Sequence, residues 1–203
     1  MRALLLSMKH ILIAFSSSHG QTEKIALYMR GKLLERGLGV QTLYIHDAGS
    51  SDAIDPQVDA VIIGGPVYIH KFPSVLLGWV RDHKAQFPAG ASALYTVSLN
   101  AADLRPASRK ADAELIQQFK EQTDWTPAVT VSFAGGLAYT RYGFFLKRLM
   151  KWISKSNHGP TDTGHDHELT DWKKVDEFIA AFAGGGPKRD VPVGLNDSSL
   201  HRV

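Results

Sequence analysis

Cysteine is absent from the 203-residue chain. That excludes disulfides, iron–sulfur clusters and thiolate nucleophiles, and fits a reducing cytoplasm. Long apolar runs are missing too, since no stretch approaches the ~18–20 residues needed to cross a bilayer. The opening MRALLLSMKHILIAFSSS has Arg2, an apolar run and small residues, the outline of a secretion signal. Lys9 and His10 interrupt that run, and cleavage after the serines would remove a strand and its loop. Translation can start at Met1 or at Met8, and residues 1–7 read as an extension in either case. With 44% hydrophobic and 21% charged residues the composition is that of one soluble globular domain. A net charge of +3 is a mild bias toward an anionic partner, a lipid surface or an acidic substrate. Nucleic acid is not an expected partner.

The chain is organised around His10–Ala26, HILIAFSSSHGQTEKIA. Ile11 to Phe15 suit a short buried strand, and Ile25, Leu33 and their neighbours return at helical spacing. Between them stand Ser16, Ser17, Ser18, His19, Gly20, Gln21 and Thr22. A strand that empties through a hydroxyl-rich loop into a helix N-terminus makes a phosphate cradle, because the first helical N–H groups lack partners and the dipole favours an anion. Gly20 permits close approach or a positive φ. The plainer alternative is an ordinary turn capped by Ser18 or Thr22. The loop is neither GxxxxGK[ST] nor GxGxxG, which argues against nucleoside triphosphates and dinucleotides. Hydroxyls without cationic side chains suit one phosphomonoester, the phosphate of FMN.

Further along, the pattern predicts a helix from Gln21 to Arg36, a strand over Val40–Ile45 and a buried strand over Ala60–Ile63 that ends in a Gly64-Gly65-Pro66 loop. A helix over Pro73–Phe87, a strand over Ala91–Val97, a polar amphipathic helix over Ser108–Gln122 and a strand over Val129–Phe133 follow. Thr170 is the expected N-cap of a last helix reaching Phe182, which Gly184 to Pro187 end. The predicted organisation is residues 1–7 as extension, 8–183 as the domain with an insertion at 139–168, and 184–203 as a disordered tail. Strands alternating with helices mean a parallel α/β sheet, and five strands with a phosphate loop after the first point to the doubly wound order 2-1-3-4-5, whose loops after strands 1, 3 and 4 converge. A phospho-receiver domain is excluded, because Ile63-Gly64-Gly65 stands where its aspartate belongs.

The loop Ser16–Thr22, the segment Gly64-Gly65-Pro66-Val67-Tyr68 and Ser98-Leu99-Asn100 are similar to the three flavin-contacting loops of flavodoxin-like proteins. Ala134-Gly135-Gly136-Leu137, Tyr139, Arg141-Tyr142, a basic apolar helix, Thr161-Asp162-Thr163 and Thr170-Asp171-Trp172 resemble the quinone-dependent protoporphyrinogen IX dehydrogenase family. The third-strand loop, Gly65 to His70, looks more like flavodoxin-domain oxidoreductases in general. The resemblance implies FMN held by Ser16 to Thr22, with Pro66, Val67, Tyr68, Ser98, Leu99, Asn100, Ala101 and Gly135 along the ring. It also implies oxidation of protoporphyrinogen IX to protoporphyrin IX, with electrons passed to a membrane quinone.

Between Ala138 and Asn157 there is no acidic residue. On a helical projection of 145–155, Phe145, Leu146, Leu149, Met150, Trp152 and Ile153 make one apolar face and Lys147, Arg148, Lys151 and Lys155 the other. A structural helix is one reading; an interfacial helix on anionic lipid suits the single-sign charge better. The expected location is the cytoplasm, peripheral on the cytoplasmic face of the inner membrane. Arg141 and Arg105 are candidate receivers of substrate carboxylates, against the plainer reading of a solvated charged face. His19 and His70 are candidate proton carriers, although most loop histidines serve no such role. His165-Asp166-His167-Glu168 reads as a polar loop, with no metal assigned. No catalytic side chain is named, because a flavin carries the two-electron step itself. The rival functions are a flavodoxin-type electron carrier, an NAD(P)H:quinone reductase and a flavin-free membrane-surface adaptor.

Overall fold

The computed structural model describes residues 10–47, 54–88, 90–103, 105–137 and 167–184. Elements follow in the order β1 His10–Phe15, α1 Gln21–Leu34, β2 Gly39–Tyr44, β3 Ala60–Pro66, α2 Ser74–His83 and β4 Ser92–Ser98. Then come α3 Pro106–Thr123, β5 Val129–Ala134, β6 Gly136–Leu137, β7 His167–Glu168 and α4 Trp172–Ala183. The first five strands form one parallel sheet in the expected order β2-β1-β3-β4-β5.

Both faces of the sheet are covered, which is why the strands read as nearly unbroken apolar runs. Side chains alternate across β1. Ile11, Ile13 and Phe15 pack with Ile25, Met29 and Leu33 of α1 and with Val175, Phe178 and Ile179 of α4. Leu12 and Ala14 face the other way, toward Leu76, Trp79 and Val80 of α2 and Phe119 of α3. α3 buries only Leu115, Phe119 and Thr123, one row at i, i+4, i+8. Most of the remaining positions are polar or alanine.

Three local expectations are corrected. Gly64-Gly65-Pro66 is not loop but the end of β3, buried throughout. A Cβ on Gly64 would stand 2.1 Å from Cζ of Tyr95, so the tyrosine ring of β4 fills the space that a side chain would take. Thr170 is not the cap of the last helix. Asp171 holds that place, its Oδ1 accepting from the amides of Lys173 (3.0 Å) and Lys174 (3.2 Å). His167 and Glu168 form β7, antiparallel to β6, rather than a loop. The basic segment 145–155, Arg141 and residues 161–163 lie outside the described residues.

Candidate functional site

All five strands of the sheet point their C-terminal ends at one rim, and the chain winds in opposite directions from β1 to β2 and from β1 to β3. Loops leaving β1 and β3 therefore part at that rim and leave a crevice, the usual ligand position in open α/β sheets. The β1 loop is fixed by backbone bonds on both sides. Ser16 N donates to Gly64 O (3.1 Å), and Ile45 N donates to Phe15 O (2.7 Å). Tyr44, at the end of β2, donates its hydroxyl to Ser17 O (2.8 Å). No sequence signal marked Tyr44 for this, because the pairing spans 27 residues.

Gly20 enters α1 with φ +89, and no side chain caps the helix. This removes Ser18 and Thr22 from the N-cap position, and the glycine that holds it offers no side chain to the first turn. Ser17 is used locally, its Oγ accepting from Gly20 N (3.0 Å). Ser16 differs. It is buried, and its Oγ has no hydrogen-bond partner. Such an unsatisfied hydroxyl costs about 1–3 kcal/mol, which an anionic oxygen seated at the helix N-terminus would recover. The loop thus fits a phosphate by its chemistry: one orphaned hydroxyl, one uncapped helix end and a left-handed glycine. Gln21 points elsewhere. Its amide donates to Thr170 Oγ1 (2.8 Å), which in turn donates to Ala134 O (2.8 Å), tying α1 to the end of β5.

Beneath this loop, the buried Tyr95 donates its hydroxyl to Thr22 O (3.1 Å) in the first turn of α1. Burial pushes its phenol well above the ordinary tyrosine range. After β3, Val67 N bonds Val97 O (2.8 Å), and Tyr68 and Lys71 exchange backbone bonds of 3.0 and 2.9 Å around Ile69 and His70. Both central residues have positive φ, 47° and 57°, as in primed hairpin turns that favour Asn-Gly. An isoleucine there is strained, by about 1–2 kcal/mol, and it stands exposed at the rim. The Tyr68 ring lies against His19, with centroids 5.2 Å apart and its hydroxyl hydrogen-bonded to His19 Nδ1. The β1 and β3 loops therefore meet through two residues that the sequence had placed in the site.

The β4 loop begins at Ser98, whose Oγ accepts from Ala101 N (3.1 Å) and whose carbonyl accepts from Gly135 N (3.0 Å). Leu99, Asn100 and Ala101 form the tight turn that follows. Ser98 Oγ also donates to Asp112 Oδ1 (3.4 Å) of α3. Burial raises the Asp112 carboxyl, opposed chiefly by the Ser98 hydroxyl and by the charge of Lys174. Burial likewise lowers Lys174, which donates to Ser132 O (2.7 Å). Asp112 and Lys174 went unnoticed in the sequence because each sits on a polar helical face among other charges. Arg105 is exposed and its guanidinium binds Asp103 (Nε–Oδ2 2.7 Å), so this candidate carboxylate receiver already holds one. Arg105 and the Ser108 hydroxyl keep the Asp103 carboxyl far below the usual carboxylate range. Among the described residues no helix is long and apolar enough to cross a membrane.

With this geometry in hand, comparison with known proteins is informative. The flavodoxin domain family matches residues 12–164. This chain belongs to the flavodoxin-domain family. Within the flavodoxin-domain family it groups with the protoporphyrinogen IX dehydrogenases [quinone], which are oxidoreductases. The Escherichia coli (strain K12) protein of that name is 30% identical, over 85% of this chain and 93% of its own length. The Leishmania major protein of the same name is 28% identical, over 85% of this chain and 74% of its own. Oxidised flavodoxin 1 from Bacillus cereus is similar at a TM-score of 0.47 and 15% identity, covering 86% of this chain and 97% of that one. The fold assignment rests on the strand order and the family match.

Proposed function

We propose that this protein is an FMN-dependent protoporphyrinogen IX dehydrogenase that passes electrons to a membrane quinone. The observation carrying the cofactor half is the buried, unpartnered Ser16 hydroxyl beside the uncapped N-terminus of α1, at the rim where the winding reverses. The names of the relatives supply the substrate half. The loop Ser16 to Thr22 would hold the phosphate, Gln21 through its backbone since its side chain is bound to Thr170; Pro66, Val67, Tyr68, Ser98 to Ala101 and Gly135 would line the ring. FMN, when bound, supplies two-electron chemistry by accepting a hydride equivalent. The chain's part is to bind and orient. Tyr95 and Gly64 support the phosphate loop from below, Tyr68 and His19 close one side of the rim, and the Ser98 turn closes the other.

The net charge of +3 supports the same reading, since positive surroundings favour a more negative, reduced cofactor and make it a better electron acceptor. The basic segment 145–155 would seat the protein on anionic lipid, where an apolar quinone resides. Arg141 would receive a substrate carboxylate. The test is anaerobic mixing of FMN-loaded protein with protoporphyrinogen IX, corrected for spontaneous oxidation. Bleaching of the flavin together with porphyrin fluorescence is expected. Bleaching by NADPH alone would make it a quinone reductase, and bleaching by neither would leave an electron carrier.

A further inference from the structure

Beneath the β4 turn lies a polar cluster whose members from α3 and α4 are not among the cofactor contacts above. Ser98 is its hinge: its hydroxyl holds Ala101 N and reaches Asp112, while its carbonyl holds Gly135 N. One residue thereby sets both the turn Asn100–Ala102 and the exit of β5. Next to it, Thr96 donates to Ser132 Oγ (2.9 Å), and Lys174 comes across from α4 to the Ser132 carbonyl. Protection of the outer strand explains Lys174, because β5 lies at the edge of the sheet and its carbonyls need donors. It does not explain Asp112. α3 is polar along most of its length, and a carboxylate on it keeps more of its hydration when turned to water. Asp112 instead sits half-buried, faced by Ser98 and Ser132 from the strands, by Lys174 from α4 and by His70 from the β3 hairpin. Arg109 adds positive charge toward Lys174.

We infer that Asp112 is a positioning residue for the cofactor site: its acceptor oxygen holds Ser98 so that the 98–101 turn is shaped before the ring arrives, and its charge sets the field there. This rests on the flavin reading of the rim. Taking the proton of Ser98 leaves the lone pairs of Oγ for the Ala101 amide, so a single carboxylate oxygen restrains two residues of the turn, Ser98 and Ala101.

Two variants separate the roles, measured at mildly alkaline pH with and without FMN. Asp112→Asn keeps an acceptor and loses the charge; Asp112→Ala loses both. Asp112→Asn is expected to bind FMN within about twofold of the parent but with a more positive midpoint potential. Asp112→Ala is expected to weaken FMN roughly five- to tenfold and to speed amide exchange at Ala101 of the FMN-free chain by a similar factor. Parent-like FMN affinity and Ala101 exchange in Asp112→Ala would overturn the positioning role. A parent-like potential in Asp112→Asn would overturn the field. If the parent itself refuses FMN while Ala101 exchange still responds, the flavin reading falls and the turn-holding role stands.

Discussion

Gly64→Ala isolates the packing on which the phosphate loop depends. Gly64 pairs with Phe15 on one side and Tyr95 on the other, in the middle of the sheet. A Cβ there would lie 2.1, 2.2 and 2.4 Å from Cζ, the hydroxyl and Cε1 of Tyr95. Ordinary carbon contacts begin near ~3.5 Å, so the ring has to retreat by roughly an ångström or more. It has nowhere easy to go, being fully buried, packed near Phe133 and bonded to Thr22 O. Overpacking costs about 1–3 kcal/mol and a lost buried hydroxyl bond about 1–3 more. The sum of about 2–6 kcal/mol corresponds to a fall in Tm of about 5–20 °C for a chain of this size. Urea and thermal unfolding of FMN-free protein measure it, and FMN titration should show weakened binding because Thr22 loses its support. Gly65→Ala is the control. Its Cβ would meet only the terminal methyl of Leu76 at 2.5 Å and the edge of the partly buried Phe72 ring at 3.2 Å, and no hydrogen bond is lost when these shift, so a smaller loss is expected. A Gly64→Ala protein as stable as the parent, or a costlier Gly65→Ala, would refute the reasoning.

Ser16→Ala removes a buried hydroxyl that has no partner, so FMN-free stability should hold or rise by up to ~1 kcal/mol while FMN affinity drops about tenfold; a matching loss of stability would mean the hydroxyl is structural. Tyr95→Phe should flatten the alkaline limb of stability. The folded chain keeps a phenol proton that the unfolded chain releases above pH ~10, so stability falls as pH rises past that point in the parent and less so in the variant, as urea titrations at rising pH would record. Gly31→Ala, with open space around the new methyl in α1, should gain about 0.5–1 kcal/mol in the same assay. Purified protein should bind anionic vesicles and leave them at high salt; equal binding to neutral vesicles at any salt would sink the electrostatic reading of residues 145–155.

Strand and helix positions were legible because their signals are local. Ile11 to Phe15 are apolar on consecutive positions, Val175, Phe178, Ile179 and Phe182 recur at helical spacing, and a serine-rich loop between strand and helix implies its own use. The alternation of elements indicated a parallel sheet, and five strands with a phosphate-type loop after the first pointed to the observed order, β2-β1-β3-β4-β5. Pairings between residues distant in sequence were another matter. Nothing in Gly64-Gly65-Pro66 distinguishes a loop from a strand until Tyr95 is laid across it. Ser16 and Ser17 look alike in the chain, yet one is satisfied by Gly20 and the other by nothing, because only the packed sheet says which hydroxyl is buried. Asp171 takes the capping place that propensity assigned to Thr170, since Thr170 is drawn to Ala134 and Gln21. Asp112, Lys174 and Ser98 come from three elements, so their meeting depends on how α3 and α4 settle on the sheet. Periodicity along a chain reports which face is buried; which group it is buried against is decided by the fold.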